Sequence, residues 1–203
     1  MPNYTPPVDD IRFLLETFDY AGQIAALPAF ADFDVDTAMS MVSEYARFCV
    51  EVLQPLNRTG DAVGVRYDPA NHTVTLPDGF KAAYEGFCEN GFTAIPYEPA
   101  HGGMGAPMCL STLAGEILIA ANKSLSMCSS LTGGLVEALQ AHGTPEQQAD
   151  LLPKLIPGTW AGTMCLTEPQ CGTDLGLLTT RAEVHGDHFA LTGTKIWITF
   201  GGA

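Results

Sequence analysis

Leu155-Ile-Pro-Gly-Thr-Trp-Ala-Gly-Thr-Met-Cys-Leu-Thr167 is the stretch in which the pattern of apolar residues along this chain changes. Before Gly158 the apolar residues recur at the spacing of amphipathic helices. After it they occur in short runs and in alternation, which is typical of strands. A run of helices followed by a run of strands predicts an α+β fold, in which an N-terminal all-α helical domain precedes the first strands of an antiparallel β domain. The predicted domains are an N-terminal extension over residues 1–33, a helical domain over 34–158 and the beginning of a middle β domain over 159–203.

The helical part contains two clear sequence signals. Apolar residues from Val35 to Leu53 are separated alternately by four and three positions, so they share one face of a helix that we expect to end before Pro55. The segment Thr144-Pro-Glu-Gln147 combines an N-cap threonine, a proline in the first turn and a glutamine at N3, which is a capping box for a helix ending near Leu155. Further helices are predicted at residues 7–17, 77–88, 108–122 and 127–142.

Short apolar or alternating segments predict the β structure. Strands are expected at residues 163–167, 177–184, 188–191 and 195–200, with a tight turn at 185–187. Residues 66–76 predict a turn with a short strand or hairpin, and the glycine- and proline-rich run 91–107 predicts a loop. The last strand would be an unpaired edge, so we expect the chain to be a fragment of a longer protein.

Composition narrows the class of protein. With 203 residues, 46% of them hydrophobic, the chain has ample material for a core, which excludes disorder as its main state. A formal net charge of −14 disfavours binding to nucleic acid, and no apolar run approaches the length of a membrane span. The N-terminus lacks the basic and apolar regions of a secretion signal. Six cysteines without a CxxC pair predict buried free thiols in the cytoplasm, and five scattered histidines predict no metal site.

Met164-Cys-Leu-Thr-Glu-Pro-Gln-Cys-Gly-Thr-Asp174 is the first segment that could carry chemistry. A strand that ends in glycine presents backbone N–H groups and the hydroxyls of Thr167 and Thr173 to a polar ligand, and Gly172 allows close approach. An ordinary turn after a strand has the same composition, and these residues alone favour the turn.

Lys195-Ile-Trp-Ile-Thr-Phe200 is the second such segment. In a strand, Trp197 and Thr199 would lie on one face and Ile198 on the other, so an indole and a hydroxyl would point the same way, as suits a flat heteroaromatic ligand. The alternative is a tryptophan that packs under a neighbouring helix, which is the commoner role of an isolated tryptophan.

Taken together, the two segments resemble the acyl-CoA dehydrogenase family. That family's signature consists of a strand, Thr-Glu-Pro, small residues, Gly-Ser/Thr-Asp, a hairpin and then Lys-x-Trp-Ile-Thr/Ser. The loop Glu98-Pro-Ala-His-Gly-Gly-Met-Gly105 resembles the family's Glu-x-x-Gly-Gly-x-Gly connection. Gly143-Thr-Pro-Glu-Gln-Gln148 and Leu155-Ile-Pro-Gly158 resemble two further family segments, and the resemblance spans about residues 35–203. The leader from Tyr4 to Leu15 resembles that of a longer subfamily that includes 3-methylmercaptopropionyl-CoA dehydrogenases.

The resemblance implies a site for FAD. It places Met164 to Thr173 around the isoalloxazine, with Leu166 and Thr167 at the pyrimidine edge. It also places Trp197 and Thr199 beside the central ring, with Thr199 near N5. Thr173 stands where the family usually has serine, a position implied to touch the acyl-CoA, and Met164 stands where some members have an aromatic residue. The implied cofactor-binding residues are Met164, Cys165, Leu166, Thr167, Gly172, Thr173, Trp197, Ile198 and Thr199.

The implied activity of the full-length protein is oxidation of an acyl-CoA to a trans-2-enoyl-CoA, with electrons passed to an electron-transferring flavoprotein. In the family a glutamate from a later helical domain is the base; we assign no catalytic base here and interpret Glu168 as a structural carboxylate. The chain alone is expected to be inactive, and its parent to form a homodimer or homotetramer. The alternatives are an acyl-CoA oxidase on the same scaffold and a non-catalytic or nucleic-acid-binding relative.

Overall fold

The computed structural model describes residues 4–201. Contacts divide the described chain into two compact units, residues 4–162 and residues 163–201, here named the helical unit and the β unit. The predicted domain limits after residues 33 and 158 stay predictions. The α+β class is confirmed, because the helical unit is built from α-helices and the β unit contains an antiparallel hairpin.

Seven α-helices form the helical unit over its described residues. They are α1 (Val8–Thr17), α2 (Val35–Phe48), α3 (Gln54–Val63), α4 (Phe80–Glu89), α5 (Met108–Ala121), α6 (Lys123–His142) and α7 (Pro145–Leu155). Between α3 and α4, β1 (Arg66–Asp68) pairs antiparallel with β2 (Thr73–Thr75). The capping box of α7 is present, since Thr144 accepts from the Gln147 N–H and Gln147 accepts from the Thr144 N–H. No described helix is long and apolar enough to cross a membrane.

The prediction that the second helix ends before Pro55 is wrong. A π-helical turn, Cys49–Leu53, continues α2 into α3, and Pro55 lies in the first turn of α3. Proline cannot donate to the carbonyl four residues earlier and its ring collides with that carbonyl in a regular α-helix. The wider π turn and the position of Pro55 in a first turn avoid both problems, because the N–H groups of a first turn have no partner within their own helix.

The core of the helical unit lies between α2, α4, α5 and α6. Tyr45, Phe48, Phe87 and Phe92 form an aromatic cluster with ring centroids 4.7–6.2 Å apart, mostly edge to face. Asn122 is fully buried between α5 and α6. Its Nδ2 donates to the carbonyl of Leu53 at 3.0 Å, and its Oδ1 accepts from the N–H of Leu125 at 3.0 Å and so caps α6.

The backbone that follows α7 is held by side chains of the helical unit. The hydroxyl of Thr93 donates to the carbonyl of Ile156 at 2.8 Å, and the N–H of Gly162 donates to the hydroxyl of Thr132 at 3.0 Å. Gly158 has φ +81°, and a Cβ there would collide with Cys88 Sγ. Glycine at this position is therefore required by both the backbone conformation and the space available.

A hairpin is the regular part of the β unit. β3 (Arg181–His185) pairs antiparallel with β4 (His188–Thr192) in the register Val184↔Phe189, and Gly186 with φ +62° occupies the two-residue turn. Leu175–Leu177 forms one 3₁₀ turn, and the described part of this unit has no α-helix.

Two predicted strands are absent from the described β unit. Residues 163–167 and 195–200 are extended in part but form no ladder, although the Ile196 N–H donates to the carbonyl of Thr167. Trp197 and Phe200 have left-handed φ values of +60° and +65°, which interrupt the extended conformation that a strand needs.

All six cysteines are free, as predicted, but the prediction that all of them are buried is wrong. Cys49, Cys128 and Cys171 are buried, Cys88 and Cys109 are half-buried, and Cys165 is exposed. Burial raises the pKa of the Cys49 and Cys128 thiols to about 12, so both remain protonated and unreactive at neutral pH. The described residues contain no group of three His, Cys, Asp or Glu side chains that could hold a metal ion.

Candidate functional site

The two segments that carry the family signature lie side by side in the β unit. Residues 163–174 are named the first segment and residues 195–199 the second segment. The hydroxyl of Thr163 donates to the carbonyl of Thr199 at 2.6 Å, and the N–H of Ile196 donates to the carbonyl of Thr167 at 2.9 Å. These bonds bring together residues that are about thirty positions apart in the chain.

Glu168 is the centre of a hydrogen-bond network beneath these segments. Its residue surface is 2% exposed, and its carboxylate accepts from five donors. Oε1 accepts from Lys195 Nζ at 2.8 Å and from the Thr180 N–H at 3.0 Å. Oε2 accepts from Gln170 Nε2 at 2.5 Å and from the N–H and hydroxyl of Thr179 at 2.8 and 2.9 Å.

The turn around Glu168 is tight. The N–H of Glu168 donates to the carbonyl of Cys171, and the N–H of Cys171 donates back to the carbonyl of Glu168, both at 3.0 Å. Pro169 and Gln170 occupy the corner, where proline is favoured because its φ is already close to that of the turn. The two hydrogen bonds of the turn fix the path of the backbone that continues to Gly172 and Thr173, and both of these residues are exposed.

The network settles the protonation state of Glu168. The Lys195 ammonium, followed by the donors of Thr180 and Thr179, holds the pKa of the Glu168 carboxyl well below its usual range. A carboxylate offers about four lone-pair positions, and five donors occupy them here. Glu168 is thus ionised at neutral pH and has little capacity to take a proton from a substrate.

The predicted site residues differ in their exposure. Met164 is 58% exposed and Trp197 is 84% exposed, although both are large apolar side chains. Cys165 and Leu166 are exposed, whereas Thr167, Ile198 and Thr199 are half-buried. The structure brings the residues from Met164 to Thr167 next to those from Trp197 to Thr199, and it places Gly172 and Thr173 beyond the Glu168 turn.

The strand geometry predicted for Trp197 and Thr199 is wrong. Without a strand, and with φ +60° at Trp197, the rule that alternate side chains share one face does not apply to this pair. A bulky residue in the left-handed region is strained, and such residues are concentrated at ligand sites and turns. Trp197 is 84% exposed, so it does not pack under any helix of the described residues.

Sequence analysis missed the residues that hold the two segments together. Lys195 Nζ donates to the carbonyl of Leu166 at 2.9 Å as well as to Glu168, and Gln170 Nε2 also donates to the carbonyl of Leu177 and the hydroxyl of Thr179. The available signal was the lysine that opens the second segment, but its partners are 27 and 29 residues away in the chain. Only the folded chain reveals such a pairing.

The described residues fit a flat heteroaromatic group. Exposed apolar surface from Met164 and Trp197 lies on two segments that also carry the hydroxyls of Thr167 and Thr199. An isoalloxazine ring has two apolar faces and a polar edge, so it needs this combination of aromatic surface and hydrogen-bond groups.

Comparison with known proteins identifies the family. The sequence model of the acyl-CoA dehydrogenase N-terminal domain matches residues 36–159. The chain is 41% identical over 199 residues to the 3-methylmercaptopropionyl-CoA dehydrogenase of Ruegeria pomeroyi, covering 98% of this chain and 34% of that protein. It is 32% identical over 204 residues to a broad-specificity linear acyl-CoA dehydrogenase of Mycobacterium tuberculosis, covering 99% of this chain and 33% of that protein. The chain thus spans about a third of the length of these relatives.

Solved structures agree with this assignment. Butyryl-CoA dehydrogenase from Megasphaera elsdenii superposes with a TM-score of 0.68 at 28% identity, covering 81% of this chain and 41% of that one. A chain in the solved structure described as the electron transferring flavoprotein of Acidaminococcus fermentans superposes with a TM-score of 0.67 at 28% identity, covering 83% of this chain and 42% of that one. By its sequence and its fold, this chain belongs to the acyl-CoA dehydrogenase family.

Proposed function

We propose that the chain is the N-terminal part of an FAD-dependent dehydrogenase that oxidises an acyl-CoA thioester to a trans-2-enoyl-CoA. The observation that carries the proposal is the joining of the two signature segments within one unit, with Met164 and Trp197 exposed beside the threonine hydroxyls. Membership of the acyl-CoA dehydrogenase family supports the choice of an acyl-CoA as substrate.

In this proposal the two segments hold the cofactor. Met164 to Thr167 line the pyrimidine edge, where backbone and hydroxyl donors stabilise the negative charge of the reduced ring. Trp197 covers ring surface, and Ile198 adds apolar contact. The carbonyl of Thr199 accepts from the hydroxyl of Thr163, and we assign the Thr199 hydroxyl to the ring near N5. Bound FAD would supply the acceptor for the hydride that leaves the β-carbon of the substrate.

The remaining roles concern the substrate and the proton. Gly172 and Thr173 are exposed at the end of the Glu168 turn, and we assign Gly172 to the cofactor and Thr173 to both the cofactor and the acyl-CoA. No catalytic base is assigned within this chain, because the lone pairs of Glu168 are already engaged by its five donors. Proton abstraction from the α-carbon is therefore attributed to a residue outside these 203 positions.

The relatives suggest the substrate and the partners. The protein that is 41% identical carries the name 3-methylmercaptopropionyl-CoA dehydrogenase, so we propose a short acyl-CoA of that kind. We propose an electron-transferring flavoprotein as the electron acceptor. The structural similarity to a chain in the solved structure described as the electron transferring flavoprotein of Acidaminococcus fermentans supports this choice. A homodimer or homotetramer in the cytoplasm completes the proposal, and the free cysteines suit a reducing compartment.

The proposal is tested on the full-length protein that carries this chain. Anaerobic addition of 3-methylmercaptopropionyl-CoA, butyryl-CoA or a long-chain acyl-CoA to the purified protein should bleach the visible flavin band. Electron-transferring flavoprotein should restore it, and the product should be the trans-2-enoyl-CoA. A colourless protein, or a flavin that none of these thioesters reduces, would refute the proposal. Stoichiometric hydrogen peroxide in air would instead identify an oxidase.

A further inference from the structure

Lys195 connects the two segments of the candidate site through one ammonium group. Its Nζ donates to the carbonyl of Leu166 at 2.9 Å and to Glu168 Oε1 at 2.8 Å. The Lys195 side chain is 21% exposed and that of Glu168 is 1% exposed, so water competes little for either group. Charge-assisted hydrogen bonds in such surroundings are about twice as strong as neutral ones.

Glu168 extends this connection to a third part of the chain. The N–H groups of Thr179 and Thr180, which immediately precede β3, both donate to its carboxylate. The Glu168–Lys195 pair therefore joins the first segment, the second segment and the start of the β3–β4 hairpin at one point.

Few other bonds define the spacing of the two segments. Among the described residues, no ladder joins them, and the two further hydrogen bonds are those of Thr163 with Thr199 and of Ile196 with Thr167. One of these depends on an exposed threonine hydroxyl. The ion pair consequently carries much of the constraint on how far Leu166 and Thr167 lie from Trp197 and Thr199.

We propose that Glu168 and Lys195 are positioning residues for the flavin site, which set the distance between the segment at the pyrimidine edge and the segment beside the central ring. The inference rests on the proposed function. Neither side chain acts on the cofactor itself in this arrangement. Lys195 acts through the Leu166 carbonyl and through its own backbone next to Trp197, and Glu168 acts by holding the Lys195 ammonium and the turn that leads to Gly172.

The test uses full-length protein with Lys195→Met, Glu168→Gln and the double variant. Binding groups held by a weakened supporting shell typically lose about 10- to 100-fold in affinity or rate, so we expect Lys195→Met to weaken FAD binding and to slow flavin reduction by a factor in that range. We also expect its bound flavin to show a shifted visible spectrum. Lys195→Arg should recover most of the affinity, because a guanidinium can donate to both acceptors.

A matched control is available in the same unit. Arg181 and Glu183 form an ion pair at 3.2 Å, with side chains 65% and 53% exposed. Glu183→Gln removes one carboxylate charge, as Glu168→Gln does, but from a solvated pair that contributes little. FAD affinity and reduction rate should stay within about twofold of wild type in this control.

The outcomes separate the inference from the proposed function. If the wild-type protein binds no FAD or oxidises no acyl-CoA, the proposed function fails. If wild type is active but Lys195→Met and Glu168→Gln lower only the thermal midpoint, with unchanged FAD affinity, spectrum and reduction rate, the pair is merely structural and the inference is wrong. Losses in the double variant no larger than in the worse single variant support one acting unit, and additive losses contradict it. If Lys195→Met does not fold, the same readouts on Glu168→Gln and Lys195→Arg decide.

Discussion

Trp197→Ala separates a ligand-binding tryptophan from a core tryptophan. A fully buried tryptophan covers up to about 250 Å². Because Trp197 is 84% exposed, the fold covers only about a sixth of that surface. At about 25 cal/mol per Å², the roughly 40 Å² that the fold covers stabilises the native state by about 1 kcal/mol at most. The substitution should therefore change the stability of the 203-residue chain very little.

Its expected effect on the cofactor is larger. If one face of the indole lies against the isoalloxazine, about 100 Å² of indole surface leaves water on binding, which is worth about 2.5 kcal/mol. Loss of that contact should raise the dissociation constant of FAD about 60-fold. Alanine inherits the left-handed φ of +60° at this position, so the backbone strain is much the same in both proteins.

Trp160 supplies the matched control, since it is the other of the two tryptophans in the chain. It is 49% exposed, lies in the helical unit, and has the Lys154 ammonium 4.5 Å from its ring centroid. Trp160→Ala should lower the stability of the 203-residue chain by about 3 kcal/mol and leave the FAD affinity of the full-length protein nearly unchanged.

The assay combines titration of each full-length apoprotein with FAD, followed by flavin fluorescence, with the thermal midpoint of the corresponding 203-residue variant. We expect Trp197→Ala to lose affinity and keep its midpoint, and Trp160→Ala to do the reverse. A Trp197→Ala protein that binds FAD as tightly as wild type would refute the assignment of this side chain to the cofactor. A large drop in its midpoint would show that the side chain belongs to the core after all.

Three further predictions concern other groups. Thr199→Val should remove a hydroxyl near N5 and slow flavin reduction by roughly tenfold or more, whereas Thr199→Ser should stay close to wild type in stopped-flow reduction. Asn122→Ala should lower the free energy of unfolding, measured by urea titration, by about 2–4 kcal/mol, because it removes a helix cap and leaves buried backbone groups without partners. Thr144→Ala, at the exposed cap of α7, is the control and should lower it by only about 1 kcal/mol. The depressed pKa of Glu168 means that its ionised form stabilises the native state above its ordinary value of 4.5 and that this contribution is lost as the pH falls through the lower folded-state value. The free energy of unfolding, measured by urea titration at a series of pH values, should therefore fall more steeply below pH 4.5 in wild type than in Glu168→Gln; equal losses in both proteins would contradict the role of this carboxylate.

Local patterns determined much of the helical unit. The alternation of four and three residues from Val35 to Leu53 predicts an amphipathic helix there, because one face of that helix packs into the core wherever the neighbouring elements lie; α2 and the π-helical turn after it occupy this span. The capping box at Thr144 and the glycine turn at Gly186 are likewise local, since their partners are within a few residues. The residues from Met164 to Asp174 and from Lys195 to Thr199 indicated the family as well, because their identity and order can be read from the sequence without the fold.

Tertiary structure alone decided the features that depend on distant partners. The chain continues helically past Pro55 because a π turn accommodates the ring, which no propensity of the residues indicates. The sequence around Trp197 alternates like a strand, but Trp197 has a left-handed φ and its segment forms no ladder among the described residues, because strand formation needs a partner strand that local sequence does not specify. The five donors on Glu168 converge from positions 2 to 27 residues away, so the network exists only where folding brings those positions to one point.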